Sequence, residues 1–265
     1  MTVQPLARPR AEEILTALIV PLVLVCTGTG LFVPGFYTGI VDPDYLLGNI
    51  TADAVSLVSA PLLAACVLWS RRGWPAARLV WLSLLAYLGY AYATFVFDRT
   101  YTVLFPAYLA IFGMCCFAVA ALVSRLDVPE LAGKAAGMKW RRVMAGYVIF
   151  TGVVLYAIEL PMILSRIPGG TQAGGTPFMA LDLALVAPLA VLIGIWLWQR
   201  RPWGIALAGV FLVKAVALVT GFLIADYIHW FAGTLENKAA TVTFTIVVLL
   251  AYFFTWNYFK TFERM

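Results

Sequence analysis

The feature that most constrains this chain is a run of eight apolar stretches, each of about 20 residues, separated by short polar connections. Twenty residues at a rise of about 1.5 Å each make a helix roughly 30 Å long, the thickness of a bilayer's hydrocarbon core. In lipid every backbone N–H and C=O must be paired internally, which leaves helices or a closed barrel. Barrel strands alternate polar and apolar residues over about ten positions; these stretches are apolar on all faces and longer. The sequence therefore predicts an all-α, polytopic membrane bundle of about eight transmembrane helices, forming a single integral membrane domain over 1–265. The predicted spans are 14–33, 54–69, 77–97, 103–123, 143–164, 181–198, 203–225 and 240–258. Composition excludes a soluble alternative: 63% of residues are apolar and 12% charged, against roughly 25% charged in soluble domains.

Basic residues in the connections set the expected orientation, because Lys and Arg near span ends stay cytoplasmic. Fourteen fall on the side that holds both termini: Arg8, Arg10, Arg71, Arg72, Arg78, Arg125, Lys134, Lys139, Arg141, Arg142, Arg200, Arg201, Lys260 and Arg264. Three fall on the other: Arg99, Arg166 and Lys238. A multi-pass protein of the cell (plasma) membrane with both termini cytoplasmic is expected. The short polar start is expected to lead into a retained first span rather than a cleaved signal. This topology accounts for the net charge of +5 and removes the reason to invoke nucleic acid. The acids lean outward: Asp42, Asp44, Asp53, Asp98, Asp182, Asp226 and Glu236. The Gly- and Pro-rich outer loop 166–180 reads as a mobile connection or a lid.

An offset of 129 residues places Asp53 on Asp182, Trp69 on Trp198, Arg71-Arg72 on Arg200-Arg201 and Trp74 on Trp203. Two readings stand side by side. One is a 4+4 parallel internal duplication, with repeats 14–126 and 143–262 related by an axis along the membrane normal; the other is the ordinary composition of helix ends at the cytoplasmic surface.

Within the predicted spans charge is nearly absent, so Glu159 (VVLYAIELPMIL) and Lys214 (GVFLVKAVALV) stand out. An ionisable group in a span costs about 2.5–3.5 kcal/mol on insertion scales and faces a bundle interior or a wet cavity. Both helices run outward; counted from Val143 and Trp203 at about 1.5 Å per residue, Glu159 lies about 24 Å up and Lys214 about 16 Å up. A lysine stem of roughly 6 Å brings an ion pair within reach. The pair is expected to point into the bundle and meet in a cavity open to the outside, either to join the fifth and seventh spans or to bind a ligand. A desolvated lysine is also a nucleophile able to form a Schiff base with a carbonyl ligand such as retinal, a reading weakened here because no acid falls within the first four predicted spans.

The other candidates come from position. Asp53 and Asp182 begin the second and sixth predicted spans and read as helix caps or, with Asp42, Asp44, Asp98 and Asp226, as an acidic outer vestibule. Tyr87 and Tyr90, on the third span, suit packing inside the bundle or a pocket for a flat apolar ligand such as a quinone or isoprenoid. Pro161 beside Glu159 is expected to shape the fifth span. Cys26, Cys66, Cys115 and Cys116 read as buried small hydrophobes. One histidine, His229, gives metal chemistry no usual ligand set, and no cofactor is indicated. Asn49-Ile50-Thr51 matches a glycosylation sequon; phosphate-binding loops, nucleophile elbows and zinc-protease motifs are not present.

The first functional expectation is a transporter or ligand-binding membrane protein for a small solute or apolar ligand, with its site between the helix halves. A non-catalytic subunit of a larger membrane complex, or a homo-oligomer, is the alternative, and a lipid-modifying enzyme the second. Expected partners are membrane lipids and other membrane subunits.

Overall fold

The computed structural model describes residues 10–135, 137–169, 176–235 and 237–263. Arg8, Glu236, Arg264 and the central part of the 166–180 loop, 170–175, lie outside the described residues, so the lid reading stays an expectation. Among the described residues, eight helices are long and apolar enough to cross a membrane. They are α1 (Ala11–Phe32), α2 (Pro43–Arg71), α3 (Pro75–Phe97), α4 (Phe105–Val123), α6 (Arg141–Arg166), the sixth span (Thr176–Trp198), α9 (Pro202–Ala232) and α10 (Lys238–Glu263). A short helix α5 (Val128–Lys134) sits in the α4–α6 connection and packs on α9. The protein is thus an all-α, multi-pass membrane protein.

The two largest departures of helix ends from the sequence expectation, at the start of α2 and the end of α9, both move acids. Helix α2 begins at Pro43, eleven residues before 54, because Asp42 caps it by accepting from Asp44 N at 3.1 Å and Pro43 fits the first turn. Asp53 is therefore buried inside a span and caps nothing. The reading that the first four spans hold no acid fails at this residue, and the Asn49 sequon lies within a helix. At the other end, α9 runs to Ala232 and stops where Gly233 takes φ 75°, the left-handed conformation glycine adopts without penalty.

The sixth span is composite. A short helix α7 (Thr176–Leu181) passes through a π turn (Asp182–Val186) into α8 (Ala187–Trp198). Pro188 explains the turn: it has no N–H and its ring crowds the carbonyl four residues earlier, so the helix widens and Ala187 N reaches back to Asp182 O. Leu183 O loses its intrahelical donor, and the Tyr156 hydroxyl of α6 donates to it at 2.8 Å. Asp182 is buried within the span and, like Asp53, is not a cap.

Helices α1 to α4 pack as a closed ring, each on the next and α4 back on α1. Beyond it, α6 packs on α8, α8 on α9 and α9 on α10, and the Tyr147 hydroxyl of α6 donates to Val247 O of α10 at 3.0 Å. The groups meet where α9 lies against α2 and α3. Lipid tails are as apolar as the side chains, so close approach of backbones has to hold such helices together. It does so between α6 and α8: a β-carbon on Gly152 would meet Ala187 O at 2.7 Å, and one on Gly194 would meet Ala145 O at 2.9 Å.

At the end holding both chain termini, Arg71 donates to Glu13 through Nε and Nη2 at 3.1 and 2.8 Å. Arg125 Nε lies 3.6 Å from Glu12 Oε2, and Trp81 Nε1 donates to Thr16 Oγ1 at 2.9 Å. These contacts tie α1 to α2, to α3 and to the connection that follows α4. Cys26, Cys66 and Cys115 are buried, but Cys116 is exposed: one residue is about 100° of helix rotation, enough to turn it from the α3 interface to the surface.

Candidate functional site

The buried face of α6 carries Met144, Ala145, Val148, Gly152 and Glu159. The small residues bring α8 close, and Glu159, seven residues beyond Gly152, continues the same face toward the π turn. There its carboxyl interacts with that of Asp182 and with the Lys214 ammonium. Lys214 stands on the buried face of α9 with 8% of its surface exposed; Glu159 has 7% and Asp182 5%. From α3, Tyr90 closes the group, and Lys214 Nζ lies 3.9 Å from the centre of its ring, a cation–π contact in a water-poor setting.

Hydrogen bonding at this cluster is incomplete. Glu159 Oε2, Asp182 Oδ1 and the Tyr90 hydroxyl are buried with no hydrogen-bond partner. Among the described residues Lys214 makes no direct ion pair with either carboxyl. Four polar groups with unused capacity thus converge from α3, α6, the π turn and α9.

The cluster sits between two cavities. One, about 410 Å³, lies between the helix halves and is lined by apolar side chains, among them Phe112 and Cys116 of α4 and Leu185 and Leu189 of the sixth span. Tyr90 and Lys214 lie at its inner end, and the lining is almost wholly apolar. Helix α4 packs on α1 and α3 while the sixth span packs on α6 and α9, so the cavity continues into the cleft between them. Leu185 is 54% and Leu189 48% exposed, which puts the mouth on the lipid-facing surface. The second cavity, about 80 Å³, lies toward the end remote from the termini and is lined by Tyr45, Asn49, Thr51, Tyr87, Tyr90 and Asp98 among others. Tyr90 belongs to both.

The structure therefore gathers four of the sequence candidates, Glu159, Asp182, Lys214 and Tyr90, and separates the rest. Asp53 forms its own cluster: the Tyr37 hydroxyl donates to its Oδ2 at 2.6 Å. Tyr87 donates to Ala52 O at 3.3 Å and lies 3.3 Å from Ser56 Oγ, lining the small cavity. Asp98 is exposed at the rim of that cavity. Asp226 accepts from Thr241 Oγ1 at 3.1 Å, which binds it to α10. Sequence reasoning singled out Asp182 but did not pair it with Glu159, and it placed Tyr37 at the outer level without pairing it with Asp53. Pro188, four residues past Ala184, was the available signal for the turn that carries Asp182. No group of three or more metal-ligating side chains occurs among the described residues.

Neither protein-family models, nor curated proteins, nor solved structures give a match to this chain.

Proposed function

We propose that this protein binds a small amphipathic molecule inside the membrane, at a site between the helix halves formed by Lys214, Tyr90, Glu159 and Asp182. One observation carries the reading: a 410 Å³ apolar cavity ends on a buried lysine. Apolar lining with a few convergent polar groups is the usual make-up of a small-molecule site, and this volume lies within the ordinary range of about 300–1,000 Å³. A lysine serving only to join helices would be expected to pair directly with its acid; Lys214 instead lies on a ring at the cavity wall.

A transport role is the second reading, favoured by Tyr90 lining both cavities: a shift of one phenol would connect the lipid-facing cavity with the small polar one. The excess of basic residues near the termini supports an orientation with both termini cytoplasmic and the small cavity opening outward.

Mass spectrometry of the purified protein under non-denaturing conditions tests the binding reading. A small molecule retained by the parent protein and lost from Leu185→Trp, which fills the cavity mouth, is the expected result. Equal retention by both, with the molecule displaced by any detergent, counts against it. Transport is then separated from binding by reconstituting the protein in vesicles and measuring flux of the retained molecule.

A further inference from the structure

The binding proposal leaves the chemistry of the ligand open, and the wall of the cavity restricts it. Lys214 and Tyr90 line the cavity, whereas Glu159 and Asp182 stand behind them. An ammonium carries three donors and no acceptor, so a ligand group that reaches Lys214 accepts a hydrogen bond from it.

Charge narrows the choice further. One ammonium faces two carboxyl groups, giving a formal balance of −1 with both ionised and zero with one protonated. A ligand carboxylate or phosphate would leave the site more negative in either case, in a water-poor interior where charge interactions are strong. A ligand cation would meet the ammonium before reaching either acid. A neutral carbonyl takes an N–H from Lys214 and adds no charge.

Access points to the same class. The mouth of the cavity lies between α4 and the sixth span, among Cys116, Leu185 and Leu189, all exposed on the lipid-facing surface. A ligand using this mouth must already be dissolved in the bilayer.

We propose, resting on the binding reading above, that the ligand is a neutral, lipid-dissolved carbonyl compound that enters between α4 and the sixth span and accepts a hydrogen bond from Lys214 Nζ. Its tail occupies the apolar length of the cavity and its carbonyl end lies beside the Tyr90 ring.

Three photoreactive probes sharing a diazirine-bearing decyl tail, with a benzoquinone, a carboxylate or a trimethylammonium head, test this on the full-length protein in lipid nanodiscs. The expected result is that the quinone probe crosslinks to Phe112, Cys116, Leu185 or Leu189 at concentrations about tenfold below the others, a preference of about 1.4 kcal/mol, and raises the melting temperature. Lys214→Met should abolish that preference. Leu185→Trp, whose side chain replaces an exposed one, should remove crosslinking by all three probes while its melting temperature stays near the parent's; this arm holds even if Lys214→Met fails to fold. Equal or better labelling by the carboxylate or trimethylammonium probe overturns the carbonyl assignment and leaves the cavity as a ligand site. Labelling at none of the four residues by any probe overturns the binding reading itself.

Discussion

Gly30 lies against Asp53 so closely that a β-carbon on it would overlap Asp53 Oδ2 and the Tyr37 hydroxyl. The relationship returns in the second half of the chain, where Glu159 faces Asp182: 159 − 30 and 182 − 53 are both 129. The packing order α1–α2–α3–α4 likewise parallels α6–α8–α9–α10, except that α4 packs back on α1 whereas α10 does not pack to that extent on α6. Both observations favour the duplication reading, in which one half kept a glycine and a tyrosine-bonded acid while the other placed a second acid and a lysine. Its direct check is superposition of α1–α4 on the second four spans; equivalent pairs at different depths would leave only shared helix-end composition.

Gly30→Ala should destabilise the first four-helix ring by about 1–3 kcal/mol, since overpacking in a fixed interface has no cheap relief. Tyr37→Phe should cost a similar amount, about 1.5–3 kcal/mol, if the 2.6 Å bond is to an ionised carboxylate. Thermal unfolding in detergent measures both. Because the two changes strike one contact, the double variant should lose less than the sum; strict additivity would mean that Gly30 and Tyr37 act separately.

Lys214→Met should be the most damaging single change in the second half, at about 3–5 kcal/mol, because it strands two buried carboxyls. Glu159→Gln should cost less, leaving Asp182 still facing the ammonium. Adding Glu159→Gln to Lys214→Met should recover part of the stability, and adding Asp182→Asn as well should recover more. A Lys214→Met protein that melts with the parent would show that the ammonium contributes nothing to the fold.

Tyr156→Phe removes the hydroxyl that donates to Leu183 O. Without water in the hydrocarbon region no other donor replaces it, so a loss of about 1–3 kcal/mol is expected. Tyr156→Phe combined with Pro188→Ala should lose less, since the restored N–H gives the helix a way to close. Hydrogen exchange in detergent would locate the effect: faster exchange near 182–187 is the expected signature, and unchanged exchange there would rule out the Tyr156 contact as the support of the turn.

Labelling from outside the cell with a membrane-impermeant maleimide should modify Val103→Cys and spare Lys139→Cys, both exposed in connections at opposite ends of the bundle. The native Cys116 faces the lipid side, beyond the reach of such a reagent. The inverse pattern would reverse the orientation inferred from the basic residues.

All eight spans were legible because apolar length is a property of consecutive residues. The early start of α2 was not, since Asn49, Thr51 and Asp53 look like a loop until the α1–α2 connection supplies Asp53 with a partner, the Tyr37 hydroxyl. Lys214 and Glu159 were legible because an isolated charge in a span is costly wherever it points. Their relation to Asp182 and Tyr90 depends on how four helices are rotated against one another, which no local pattern records. Cys115 and Cys116 show the same limit: identical neighbours on one helix, one buried and one exposed.

The buried positions of the sixth span run 179, 182, 187, 190, then 193 with 194, and 197; apart from the step of five after 182, each is followed by another three or four residues on. Every step but one suits an α-helix. In a regular helix five residues advance about 500°, or about 140° past a full turn, so a straight version of this span would aim Asp182 at the lipid while Ala187 faced α6. The widened turn at 182–186 absorbs that angular error. Whether the second acid belongs to the site at all is thus set by the winding of one helical turn, and a single-residue deletion at Ala184, which lets ordinary winding bridge the step, should keep Asp182 in place without the bulge.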